Sequence, residues 1–284
     1  MQIAINSGYF RKIFDSDKTR TDLECALLCK KGGFSHIDCS PNFLMDSDWQ
    51  DQAKKLAADL ESEGIIVEQS HAPFNRYNRE PESQFKEKLR RSFLTAAELG
   101  AKNIVIHADE YVCEKGTYDS EAACRFAYDY FAPFVELAQK NGIGVAVENL
   151  FEDGIHCKRD RCTSTTDEIL RIIELFNTPE VSCCWDFGHA AVSFGDNMLD
   201  ELKKVGGHVT CTHVHDNYKN SDTHLPIFLG KINWKAHMDY LRKIFYKGAF
   251  TFEFVYGVIP ENLIDDFLKF QYNAAQFIVG QKMS

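Results

Sequence analysis

Eight short runs of apolar and β-branched residues recur along the chain, at 2–6, 35–39, 65–69, 103–107, 144–148, 181–186, 208–213 and 250–254. Over 284 residues this is one run per about 36, the length of one strand-plus-helix unit. The stretches between them carry apolar residues at helical spacing. Trp49, Ala53, Leu56, Ala57 and Leu60 form one stripe within 48–63, and Phe85, Leu89, Phe93 and Ala96 another within 83–99. Residues 120–140 and 166–176 read the same way, the latter with Thr165 as N-cap and Asp167 and Glu168 in its first turn. Gly64, Gly100 and Gly142 follow helical stretches, where a left-handed C-cap is expected. Strand and helix in alternation predict a parallel sheet with right-handed crossovers. Eight units predict an α/β chain closed into a (β/α)8 TIM barrel, with the active site at the C-terminal ends of the strands. An open dinucleotide-binding sheet would carry GxGxxG after its first strand, and none is present. No linker or low-complexity segment interrupts the pattern, so one barrel domain is expected over 1–284.

Lys plus Arg is 32 and Asp plus Glu is 42, a net charge of −10. Nucleic-acid binders use surplus cations to displace counterions, so this balance argues against a nucleic-acid partner and against a polybasic membrane surface. No apolar run reaches the roughly 18–20 residues that cross a bilayer, so no membrane association is expected. The first residues, Met1-Gln2-Ile3-Ala4-Ile5-Asn6, lack a basic n-region and a small-residue cleavage site and read as mature protein. Ten cysteines contain no CxxC pair, which favours free thiols in a reducing, cytoplasmic setting over a disulfide framework.

The polar residues fall where such a barrel would use them. The third run leads into His71, the fourth into His107, the fifth into Glu148 and the sixth into Asp186, with His189 one turn on. The seventh reaches His213, with His215 and Asp216 behind it, and the last contains Glu253. Any one of these alone reads as a hydrogen-bonded structural residue or a solvated loop acid. Six converging on one face are costly unless a cation or proton neutralises them. Mixed imidazole and carboxylate ligands suit Zn2+, Mn2+ or Co2+, and no cysteine occupies these positions, which argues against a structural Cys-rich site.

A further stretch reads His213-Val214-His215-Asp216-Asn217, then Asp222-Thr223-His224-Leu225-Pro226, then Gly230 and Ile232-Asn233-Trp234. Together with Glu148-Asn149, Asp186-Phe187-Gly188-His189 and Glu253, it resembles the xylose-isomerase-like TIM barrel superfamily. Members include sugar (phosphate) isomerases and epimerases, inosose dehydratases and apurinic endonucleases of the endonuclease IV type. The resemblance spans essentially the whole chain, one motif per strand, and is specific for the superfamily rather than the reaction.

In the epimerase branch one divalent metal is held by Glu, Asp, His and Glu on successive later strands, roles that fall on Glu148, Asp186, His213 and Glu253. His213 is preferred to His215 because the family's ligand His is followed three residues later by an acid, here Asp216. His189 matches the family's Asp-x-x-His turn. In the endonuclease branch, further ions are held by residues that His71, His107, Asp222 and His224 resemble; in sugar-directed members these are expected as substrate contacts.

The chain departs from the family after Pro226, where Phe228, Leu229 and Gly230 replace the usual Gly-Glu-Gly. Arg76, Arg79, Lys158, Arg159 and Arg161 stand near the expected mouth and read either as a solvated surface or as a phosphate contact; Cys157 and Cys162 flank the last three. The resemblance implies a metal-dependent sugar or sugar-phosphate isomerase/epimerase using Mn2+, Zn2+, Co2+ or Mg2+, with Glu148 and Glu253 moving the proton. A small carbohydrate would be its substrate, and pairing of barrels into a homo-oligomer is compatible with the size. The competing readings are a multinuclear-zinc phosphodiesterase, an inosose-type dehydratase and a non-catalytic sugar-binding barrel.

Overall fold

Strands β1 (Gln2–Asn6), β2 (His36–Asp38), β3 (Ile66–His71), β4 (Asn103–Ile106), β5 (Gly144–Glu148), β6 (Val181–Asp186), β7 (Val209–Val214) and β8 (Ala249–Phe252) pair in chain order, each parallel to the next. β8 then pairs with β1, Ile3 opposite Phe250, and closes the barrel. The computed structural model describes residues 1–75, 80–114, 116–152, 160–255 and 257–280. The apolar runs and the strands agree to within two residues at every end. The helices are α1 (Asp22–Lys31), α2 (Trp49–Ser62), α3 (Glu82–Glu98), α4 (Ser120–Lys140), α5 (Thr166–Phe176), α6 (Phe187–Phe194), α7 (Met198–Val205), α8 (Trp234–Lys243) and α9 (Ile264–Gly280). The crossover from β6 to β7 thus carries two short helices where the repeat predicts one.

Gly64, Gly100 and Gly142 have φ of +64°, +73° and +71°, as C-terminal caps require. Thr165 occupies the N-cap of α5, but its hydroxyl bonds the Glu168 carboxylate at 3.1 Å rather than an orphan helix amide. The acidic first turn therefore orders the cap residue, and no side-chain hydrogen bond from it reaches the helix amides. The nine described cysteines are free, and eight of them are buried. Cys157 lies outside the described residues. Among the described residues no helix is long and apolar enough to cross a membrane.

Side chains alternate across each strand, and this decides what reaches the barrel interior. Ile104, Ile106, Val145, Val147, Cys183, Trp185, Phe250 and Phe252 face the helices and belong to the main apolar core. The other parity faces inward. Val105, Ala146, Cys184 and Cys211 form a small separate apolar cluster from four neighbouring strands. Thr251 completes this layer by donating to Gln69 Oε1 at 3.1 Å across the barrel. These residues are the floor on which the polar site stands.

Candidate functional site

Each site residue lies two positions beyond a floor residue: His71 beyond Gln69, His107 beyond Val105, Glu148 beyond Ala146, Asp186 beyond Cys184, His213 beyond Cys211 and Glu253 beyond Thr251. The strand period of two therefore sends all six upward into one space. Glu253 falls just past β8, but its amide still bonds Val214 O at 3.1 Å, which keeps its side chain in register. His71 and His213 sit within their strands rather than after them.

The centre is His213, fully buried. Its Nδ1 is 3.1 Å from Glu148 Oε1 and 3.8 Å from Asp186 Oδ2, and its Nε2 is 3.7 Å from Glu253 Oε1. Neither ring nitrogen completes a hydrogen bond among the described residues. Two orphaned nitrogens in a buried site are costly unless something else engages them. His215 lies on the same side and brings Nε2 to 3.2 Å from both Asp186 carboxylate oxygens. The structure thus places both histidines at the site, and donor atoms of Asp186, His215 and Glu253 lie within 4.8 Å of one another, as do those of Glu148, Asp186 and His213.

A second set abuts the first. His71 Nε2 and His107 Nε2 are each 3.1 Å from Glu148 Oε2 and 3.2 Å from each other. Three mutually adjacent donor atoms cannot all be joined by straight hydrogen bonds. The edges of a tetrahedral Zn2+ site, with Zn–N bonds of about 2.0–2.1 Å, are roughly 3.3 Å, so this triangle fits a cation. His71 Nδ1 donates to Ala72 O at 2.7 Å, so in the neutral ring Nε2 carries the lone pair a cation would use. A third set joins His189, His215, Asp222 and His224. His224 Nε2 is 3.0 Å from Asp222 Oδ2 and its ring stacks on that of His215 at 3.8 Å. Glu148, Asp186, His213 and Glu253 and the further candidates His71, His107, His189, Asp222 and His224, with His215, therefore belong to one continuous cluster.

The charges respond as such crowding demands. Burial would raise the Glu148 pKa, but His213, His107 and His189 outweigh it and hold it well below the usual carboxylate range. Burial would depress His213, but Glu253 and Glu148 outweigh it and hold it well above 6.5. His189 is raised in the same way, chiefly by Asp186 and Asp222, against its burial. His107 goes the other way, because its burial outweighs Glu148.

Several contributors lie outside the ligand and catalytic candidates of the sequence analysis. Asn6 Nδ2 and Tyr9 OH, from the β1 end, donate to the two oxygens of Glu253 at 3.1 Å each. Asn149 clasps the backbone of Asp186, accepting from its amide at 2.7 Å and donating to its carbonyl at 2.9 Å. Asp38, at the end of β2, is fully buried with Oδ2 4.0 Å from His213 Nε2. Burial pushes its carboxyl up to about 6, His213 and His71 offsetting part of the rise. Strand-end parity, applied to the first two strands, would have found Asn6 and Asp38.

Asp216 is not in the cluster. Its carboxylate accepts from the amides of Asn217, Phe228 and Ile232 and from Trp234 Nε1, at 2.9–3.1 Å. The acid three residues after His213 therefore organises the loop that carries Asp222 and His224. Arg161 offers neither a solvated charge nor a free phosphate contact: it pairs with buried Asp109 at 2.7 Å and lies over Phe151. Arg76, Arg79, Lys158 and Arg159 lie outside the described residues, and Cys162 is fully buried.

The fold and this metal-capable cluster define a class, and the family comparison agrees with it. The chain belongs to the xylose isomerase-like TIM barrel family, whose model matches residues 27–273. A D-psicose 3-epimerase solved in the presence of D-fructose superposes with a TM-score of 0.77 at 15% identity, covering 99% of this chain and 100% of that one. A D-tagatose 3-epimerase-like protein gives 0.76 at 19% identity, with both chains covered in full. IOLI protein with a bound zinc atom gives 0.75 at 17% identity, again over the whole of both chains. At these identities the likeness is one of fold.

Proposed function

We propose that the chain is a divalent-metal-dependent sugar or sugar-phosphate isomerase/epimerase that moves a proton at a carbon next to a carbonyl. The observation that carries this reading is the placement of Glu148 and Glu253 at the two nitrogens of one buried imidazole, His213. The epimerases and the zinc-bound protein that share the fold support it. Glu148, Asp186, His213 and Glu253 would hold the ion, which when bound supplies Lewis acidity to carbonyl and hydroxyl oxygens. Glu148, held ionised by its histidines, accepts the proton. Glu253, oriented by Asn6 and Tyr9, faces the substrate from another strand and returns a proton there. The apolar floor keeps water from the reacting carbon from below.

Turnover of a ketose and aldose panel in D2O should place deuterium at a single carbon of the product. Glu148→Gln and Glu253→Gln should each lower turnover by about 10²–10⁴-fold, since general acid–base groups contribute that much. A Gln variant that keeps its metal and near-native turnover would remove that residue from the chemistry. Absence of solvent deuterium throughout the panel would remove the isomerase reading.

A second reading is favoured by the second and third donor sets around His107 and His224. These would hold further ions, as a phosphodiesterase with several zinc ions requires. The net charge of −10 opposes a nucleic-acid substrate. Abasic-site duplex should therefore stay intact at physiological salt with zinc-loaded protein; efficient cleavage would promote this reading.

A further inference from the structure

Beside the metal-capable cluster lies a second cavity, of about 170 Å³, between the loops that follow β7, β8 and β1. Phe10, Leu225, Pro226, Phe254, Ile264 and Phe267 give it an apolar wall, with Lys12 and Thr223 as polar residues on its lining. Tyr9 and His224 also line it, and they belong to both places. Tyr9 donates to Glu253, His224 pairs with Asp222, and their rings stand 5.7 Å apart. These two rings therefore form the wall shared by the Glu253 end of the cluster and the apolar space. Val255 and Val258, 45% and 50% exposed, stand at the rim.

The wall selects what can enter. A hydroxylated group would leave its hydrogen bonds to water behind and recover few of them here, whereas an apolar ring loses none. An apolar cavity of about 150 Å³ is known to accept one benzene. We propose that the substrate carries an apolar aryl aglycone of about one ring's size that sits in this cavity while its carbonyl-bearing sugar faces Glu148 and Glu253. This rests on the isomerase/epimerase reading and narrows its substrate class from free sugars to keto-glycosides with an apolar aglycone.

The test uses metal-reconstituted protein and two probes, the phenyl and methyl glycosides of one aldohexose, each oxidised to a ketone at the same ring carbon away from the glycosidic bond. Deuterium uptake from D2O next to the carbonyl gives kcat/KM for each. The phenyl probe should exceed the methyl probe by about 30-fold, since a single methylene in an apolar pocket is already worth about 10–200-fold. Val255→Trp and Val258→Trp fill the rim from exposed positions and should bring the ratio towards one. The ratio, unlike either rate, is insensitive to a general loss of activity. Equal kcat/KM for both probes overturns the cavity assignment and leaves the isomerase reading standing. If neither probe exchanges, saturation-transfer NMR decides: phenyl binding that is tighter and lost in Val258→Trp sustains the cavity and sinks the reaction, and equal binding sinks the cavity. A tryptophan variant that dissolves a dimer while leaving the ratio unchanged also overturns the proposal and makes this face a contact between copies.

Discussion

Asp186 turns one carboxylate oxygen towards the His189 amide, at 2.7 Å, and so caps α6. The carboxylate also faces His213 and His215. One side chain thus starts a helix and serves the site, so its loss must be dissected. Asp186→Ala should forfeit the cap, worth about 1 kcal/mol, together with the metal. Asp186→Asn retains a cap oxygen but not the charge. Elemental analysis of protein purified without chelator should show near-stoichiometric divalent metal in the parent and at least about a tenfold deficit in both variants. Compared in EDTA, Asp186→Ala should melt earlier than Asp186→Asn by the cap alone. Undiminished metal in Asp186→Asn would take Asp186 out of the ligand set.

At the scale of elements, the site depends on how closely α6 and the loop after β7 approach. A Cβ on Gly188 would sit 1.8 Å from Cε1 of the His215 ring, so only glycine lets that ring lie against the first turn of α6. Gly188→Ala should displace His215, lower metal content and turnover by about tenfold or more, and leave the far-UV circular dichroism unchanged. Near-native metal binding in this variant would show that His215 is dispensable. Asp216 governs the other side of the same contact. Asp216→Asn leaves a four-donor cradle with an acceptor too few, at about 1–3 kcal/mol for each orphaned N–H. A drop of several degrees in Tm should follow, with activity lost as Asp222 and His224 drift. An unchanged Tm would mean the loop is held elsewhere.

At the scale of the whole molecule, the interior of the barrel mouth is a dense set of imidazoles and carboxylates, and pH acts on all of them. His189 and His213 are raised well above 6.5 by their carboxylate partners against burial. Their stabilisation of chelator-stripped protein is fully present below pH 6.5 and is lost as pH rises through the raised values. Glu148 is depressed below 4.5, so its contribution is present above 4.5 and disappears as pH falls through the depressed value. The stripped protein should therefore melt highest in mildly acid buffer, between about pH 4.5 and 6.5, and weaken towards alkaline pH. Metal needs neutral imidazoles, so loading should move the optimum upward. Tm against pH, with EDTA and with Zn2+ or Mn2+, checks this, and two parallel curves would refute it.

What could be read from sequence is what depends on neighbours along the chain. The alternation of strand and helix, the glycine caps and the parity that lifts His107, Glu148 and Asp186 above Val105, Ala146 and Cys184 are all local, because strand period and helix period are properties of consecutive residues. Closure into a barrel followed from counting the units. Tertiary structure alone decided the rest, since it depends on which side chains meet across the barrel. That His213 and His215 both reach Asp186, that Asp216 holds a loop, and that Arg161 is taken up by Asp109 are consequences of packing between residues far apart in sequence. So is the support of Glu253 by Asn6, 247 residues away, because only closing β8 against β1 brings those two strand ends together.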